Sequence, residues 1–188
     1  MIGVDAPLVI RNQEGMREAD KLMHRHFGRF HAGAYPANLG LPHARRPLEL
    51  SRMLEELGFQ HGAAMQARAS GRWQIEIHPH AAIVQLFDLP RIIRYKRGSV
   101  AERRAELTRY RELLCSQLPQ LMPACDVNGH LPEIAGKGRA LKDCEDRIDA
   151  VISAYIAAHW WYWGSERNTV FGDADDGYII VPHRVQAG

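Results

Sequence analysis

The chain has 188 residues, 46% hydrophobic and 24% charged, which suits one globular domain and excludes a disordered or collagen-like chain. Lys and Arg number 24 against 22 Asp and Glu, a balance that neither demands nor forbids a nucleic-acid partner. Three cysteines (Cys115, Cys125, Cys144) argue against a disulfide framework or a zinc ribbon and point to a reducing, cytoplasmic setting. The opening residues lack the basic segment of a signal peptide, and the longest uncharged run, Ala150 to Ser165, falls short of the roughly 18–20 residues a membrane span needs.

In chain order, Ile2 to Leu8 alternates as a strand that ends near Pro7, because proline has no N–H for the ladder. Gln13 to Phe30 has helical spacing, and Gly28 to Gly40 follows as a Gly- and Pro-rich loop. Pro47 to Leu57 is a short helix with Met53, Leu54 and Leu57 as its apolar stripe. Trp73 to His78 alternates again, Pro79 stops it, and Ala81 to Phe87 is a short helix. Ser99 and Glu102 have the spacing of a capping box for a helix from Ser99 to Leu118, with Val100, Leu107, Tyr110 and Leu114 as a narrow apolar stripe. After a loop from Pro119 to Gly138, Arg139 to Trp163 is the longest helix. Turn residues Asp175, Asp176 and Gly177 launch a last strand from Tyr178 to Val181. The expectation is a single α/β domain over residues 1–188 with three strands, few for its length.

On the long helix, Leu141, Cys144, Ile148, Val151, Ile152, Tyr155, His159 and Tyr162 form the core stripe. Asp146, Asp149, Ser153 and Ala157 share another face, where small side chains leave room for a second backbone or a ligand. That face is either metal-binding or an acidic surface favoured by the helix dipole. Asp5 and Glu76 lie near the C-terminal ends of their strands, where sites form in open α/β sheets. If Asp5, Glu76, Asp146 and Asp149 converged, they would offer the oxygen ligands that Mg²⁺ prefers. Arg91 to Glu112 carries eight Lys and Arg against three Glu, either a strip for a phosphodiester backbone or a solvated face. His78-Pro79-His80 is discounted as a zinc pair, DADDG (Asp173 to Gly177) as a calcium loop, and the aromatic run His159 to Trp163 reads as core or interface.

Taken in order, GVDAPL (Gly3–Leu8), HAGAYPAN (His31–Asn38), EIHP (Glu76–Pro79), YK (Tyr95–Lys96) with Arg103 or Arg104, D-x-x-DA (Asp146–Ala150) and DGYIIVP (Asp176–Pro182) resemble domain-of-unknown-function family 429, regarded as predicted nucleases of RNase H-like fold. The resemblance runs over nearly the whole chain. It implies an RNase H-like mixed sheet flanked by helices and Mg²⁺- or Mn²⁺-dependent phosphodiester cleavage of nucleic acid. By position it makes Asp5, Glu76 and Asp149 the catalytic acids, Asp146 a further metal ligand, and Lys96, Arg103 and Arg104 the substrate-binding residues. Family members usually open with a strand carrying G-x-D, absent here, so the fold is expected to be N-terminally incomplete, with a start further upstream as the preferred explanation. The same gap would leave an apolar edge at Ile2–Leu8, open to a second copy as a homodimer contact. The alternative to a nuclease is a catalytically inactive nucleic-acid-binding or protein-interaction module of the same fold.

Overall fold

A computed structural model describes residues 1–134 and 136–183. The fold is mixed α/β. Three parallel strands, β1 (Ile2–Val4), β2 (Gln60–His61) and β3 (Trp73–Glu76), form a sheet in the order β1-β3-β2. Two more, β4 (Asn168–Asp173) and β5 (Gly177–Pro182), form an antiparallel hairpin. The two pieces meet where Ile77, just beyond β3, bridges Ile180 in parallel. The helices are α1 (Glu18–Phe27), α2 (Arg45–Glu56), α3 (Pro79–Leu86), α4 (Val100–Gln117) and α5 (Gly138–Trp163). The main apolar core is shared by α1, α3, α4, α5 and the strands β3, β4 and β5, with Trp160, Tyr95, Tyr110 and Tyr178 among its largest fully buried side chains.

The first strand is shorter than its alternation suggests. β1 keeps register with β3 through Val4, and the chain then bends over the tip of β3. There the Leu8 N–H donates to the Glu76 carboxylate at 2.9 Å, so a side chain takes the place of a strand partner. α1 begins five residues later than its apolar spacing implies. Gly15 sits at φ +74, outside helical space, and Arg17 with Asp20 closes a capping box at the true start. β2 and β4 have no clear pattern of their own. β2 exists because Gln60 and Gly62 donate backbone N–H groups to the carbonyls of Arg72 and Gln74, and β4 because it zips onto the fully buried β5.

Two apolar stripes differ from expectation. Of Met53, Leu54 and Leu57 only Leu54 is buried, because α2 packs by Ser51 and Leu54 and leaves the other two in water. Val100 is exposed, while Leu107, Tyr110 and Leu114 form the core side of α4 below its capping box of Ser99 and Glu102. α5 follows its predicted stripe, except that Val151 and Tyr162 are half-buried and Ile156, Ala157 and Trp160 join the core. Its C-terminal indoles also act as ties, donating to the carbonyls of Gly62 (Trp160), Ala69 (Trp161) and Met122 (Trp163). The DADDG segment makes the β4–β5 turn, where the Asp173 carboxylate accepts from the Asp175 and Asp176 amides. All three cysteines are free thiols. Among the described residues, no helix is long and apolar enough to cross a membrane.

Candidate functional site

The small residues that follow Asp149 on α5 do make room for a backbone, and that backbone is β1. A Cβ on Gly3 would stand 2.8 Å from the Ser153 carbonyl oxygen and 3.2 Å from the Ala157 Cβ. Close approach of α5 to β1 therefore requires glycine at position 3 and small side chains one and two turns after Asp149. Its consequence is that Asp149 and Asp5, 144 positions apart, face a common space beyond the strand tips.

Asp149 is held on both oxygens. The Tyr95 hydroxyl donates to Oδ1 at 2.6 Å, and Lys96 Nζ lies 2.8 Å from Oδ2. Tyr95 is itself fixed: it is buried, with its ring 5.0 Å from Tyr110 and 5.8 Å from His80. Burial, then the neighbouring Tyr110 and the charge of Asp149, pushes its phenol upward, so it remains a hydrogen-bond donor at any ordinary pH.

Asp5 is in a different state. It makes no hydrogen bond among the described residues, and its nearest partner is His78 Nδ1 at 4.0 Å. Its side chain keeps 47% of its surface open to water, yet protein atoms surround the carboxyl from below. That crowding raises its pKa to about 6; the negative charge of Asp149 adds to the rise and Lys96 opposes it. His78 and His80, with rings 6.1 Å apart, complete the floor. Burial drives both down to about 4, with Lys96 adding to the effect, so both are neutral at pH 7. The His78–Asp5 approach is therefore a contact of a neutral imidazole with a carboxylate, not an ion pair. The site thus groups two acidic side chains, Asp5 and Asp149, with one lysine.

These dependencies give a direct test. In a ¹³C-detected NMR titration, the Asp5 carboxyl should titrate near pH 6. Lys96→Met removes the opposing positive charge and should move the midpoint higher, while Asp149→Asn should move it lower. A native midpoint close to 4 would show that Asp5 is an ordinary surface acid.

The other expected site residues stand apart from this group. Glu76 does not face Asp149. It is buried, and both its oxygens are taken by Arg17, Oε1 by Nη2 at 2.6 Å and Oε2 by Nη1 at 2.9 Å, with the Leu8 amide on Oε2 as well. Arg17 also binds Asp20 at 2.8 Å, and Asp20 accepts the Ala37 amide. Burial lifts the Glu76 carboxyl toward about 7 against the pull of Arg17, and Arg17 stays firmly protonated. Asp146 points to solvent and pairs with Lys142, because its position on α5 is turned away from β1. The four-carboxylate cluster expected from sequence is thus a pair, Asp5 and Asp149. Among the described residues, no three His, Cys, Asp or Glu side chains are grouped to hold a metal ion.

The basic strip is partly neutralised from within: Lys96 lies on Asp149, Arg103 on the buried Glu145, Arg109 on Glu106 and Arg111 on Glu133. Arg104 is exposed, with no ion pair or hydrogen bond among the described residues. Sequence reasoning gave no role to Tyr95 or Arg17, and weighed His78 and His80 only as a zinc pair. Tyr95 had one signal, its place directly before Lys96 in the Tyr-Lys pair. Arg17 had a general one: a carboxylate inside an apolar strand demands a buried cation somewhere.

A family model described as "Protein of unknown function (DUF429)" matches residues 1–176. No curated protein and no solved structure matches the chain.

Proposed function

For a chain that belongs to the DUF429 family of proteins of unknown function, we propose a metal-dependent phosphodiesterase of RNase H-like fold, acting on nucleic acid. The observation that carries this reading is the meeting of Asp5 and Asp149 with Lys96 at the tips of parallel β1 and β3. Two carboxylates are a usual protein share of an Mg²⁺ site whose remaining ligands are water and substrate phosphate. Asp5, open to water and free of hydrogen bonds among the described residues, and Asp149, oriented by Tyr95, would hold Mg²⁺ or Mn²⁺. When bound, such an ion polarises a phosphoryl oxygen and makes a water a better nucleophile.

The chain's own residues supply the rest. Lys96, 39% exposed, meets a substrate phosphate at the rim of the site. Arg104 extends the positive surface along α4, while Arg103, tied to Glu145, has a smaller part in substrate binding than its position in the strip suggested. Neutral His78 and His80 keep the floor beneath the carboxylates uncharged. Burial raises the metal-free Asp5 carboxyl to about 6, so Mn²⁺ competes with a proton there and the Mn²⁺ concentration that half-saturates cleavage should rise as pH falls below that value.

The test is cleavage of a mixture of single- and double-stranded DNA and RNA with Mn²⁺ and with EDTA. Asp5→Asn and Asp149→Asn should each lower the Mn²⁺-dependent rate about a hundredfold, with circular dichroism unchanged. A rate untouched by Asp149→Asn would remove the proposed site. One observation favours a second reading: Lys96 already occupies one oxygen of Asp149, and Glu76 is engaged by Arg17. Salt-sensitive, metal-independent binding without cleavage would select the inactive binding module instead.

A further inference from the structure

Beside Asp5 lies a cavity of about 180 Å³ that the proposed chemistry does not use. Its walls are mainly methyl groups and proline rings, among them Pro7, Ile10, Pro36, Leu41, Ala44 and Pro47. The loop side of this wall is held by a small apolar cluster separate from the main core: Ile10, Ala37 and Ala44, with Leu41 and Leu48. Some polar groups of the lining are already bonded to protein, while Asp5 has no hydrogen bond and the buried His78 Nε2 has no partner among the described residues. Arg17, Asp20 and Glu76 form their closed network, and the Asn38 amide donates to the Gly15 carbonyl. The volume is below the roughly 300–1,000 Å³ of pockets for drug-sized ligands, so one ring system is the size of group it admits.

Two features fix which ring system. Tyr35 lines the cavity and is 78% exposed, far more than any other large hydrophobic side chain of the protein described as exposed. Arg97 Nη2 donates to its hydroxyl at 3.0 Å, which ties the tyrosine to the cationic side of the site. Lys96 and Arg97 are consecutive, and the charge of Lys96 is felt at both Asp5 and His78, two further residues of the cavity lining. A cationic rim for a phosphate thus adjoins an aromatic face and an apolar recess. Sequence-tolerant binding of single strands uses these same parts, a charged track beside a ring on which bases stack.

We infer that this cavity receives one base of a single-stranded nucleic acid, stacked against Tyr35, while the neighbouring phosphate rests on Lys96 and Arg97. The inference rests on the phosphodiesterase reading for its substrate class and adds the strand form and the base subsite. Recognition is base-tolerant, because the recess wall is largely apolar and Arg17, Asp20, Glu76 and Asn38 are engaged with protein groups; the polar edge that a base meets is Asp5 and His78, whose buried Nε2 has no hydrogen-bond partner among the described residues.

The experiment measures binding in EDTA, where no cleavage intervenes. The probes are fluorescein-labelled pentathymidylate, pentadeoxyadenylate and a pentamer of equal charge with an abasic central nucleotide, titrated by anisotropy at low salt. Pentathymidylate and pentadeoxyadenylate should bind alike, and the abasic probe should bind about tenfold more weakly. Tyr35→Ala should weaken the two normal probes by a similar factor and leave the abasic one unchanged, while Tyr35→Phe, which keeps the ring and loses the contact to Arg97, should stay close to wild type. Equal affinity for abasic and normal probes, no effect of Tyr35→Ala, or no binding at all would overturn the inference. Base-dependent binding in a protein that cleaves nothing with Mn²⁺ would refute the phosphodiesterase reading and leave this one standing. Mn²⁺-dependent cleavage without base dependence would do the reverse.

Discussion

Replacing Arg17 by methionine should cost about 3–5 kcal/mol of folding stability, among the largest losses expected from any single substitution in this protein. The side chain is almost wholly buried and neutralises two buried carboxylates, Glu76 and Asp20, while its Nη1 also donates to the Val9 carbonyl. Methionine fills similar volume but leaves both acids without their cation. For a chain of this length the loss corresponds to a fall of about 6–20 °C in Tm. The loss should depend on pH in a defined direction. Glu76 already sits near 7 because of burial, and without Arg17 its folded pKa rises further above its unfolded value of 4.5. A raised carboxyl suits the fold when protonated, so the variant is least impaired below about pH 4.5 and loses stability as pH climbs through 7. Urea denaturation at pH 5 and pH 8 reads the effect. Adding Glu76→Gln should recover part of it at pH 8, since a neutral amide needs no cation. A loss under about 1 kcal/mol at pH 8 would mean that water or relaxation already screens the network. The same residues pin Leu8, Val9 and Ala37, so the network sets the walls of the cavity next to Asp5.

A comparable effect is expected from His159, near the C-terminal end of α5. It is buried on α5, and its Nδ1 donates to the Asn168 side-chain oxygen Oδ1 at 2.9 Å, while Asn168 Nδ2 donates to the Gly164 carbonyl. The bond fixes the neutral tautomer with hydrogen on Nδ1. Burial lowers its pKa to about 4; Asn168 opposes the fall, and the nearby His183 and Arg167 deepen it. An unfolded histidine takes its proton near 6.5. The stability that His159 contributes as a neutral group is therefore complete above about 6.5 and lost as pH falls to 4, on the order of 3 kcal/mol. His159→Gln can still donate to Asn168 and has no proton to gain. The stability gap between wild type and variant should shrink by that amount from pH 7 to pH 4, with His78, His80, Asp5 and Glu76 cancelling because both proteins carry them. A gap constant over that range would place His159 in contact with water.

The likeness of sequence to structure follows the range of the forces involved. The helix caps and apolar faces act within a turn or two, so the Ser99–Glu102 box, the stripe of α5 and the buried strand from Tyr178 are all where the residues put them. β2 and β4 are not readable in this way, because their hydrogen bonds depend on a neighbour already in place. The expectation of one mixed sheet becomes a parallel sheet and a hairpin joined at Ile77 and Ile180.

The candidate site divides along the same line. Sequence by itself determined that Asp5 lies near the C-terminal end of a strand and that Asp149 shares a helix face with Ser153 and Ala157, small enough for a backbone to approach. Those two statements bring the acids together once Gly3 lets β1 lie against α5. Tertiary structure alone decided which carboxylates remain available. Glu76 is claimed by an arginine 59 residues away, Asp146 is turned to solvent by the rotation of α5, and Asp149 is oriented by a tyrosine 54 residues before it. A buried charge requires a partner because its desolvation is costly, and sequence states that requirement. The partner's identity is fixed by which chains cross nearby, and only the packed fold supplies that crossing.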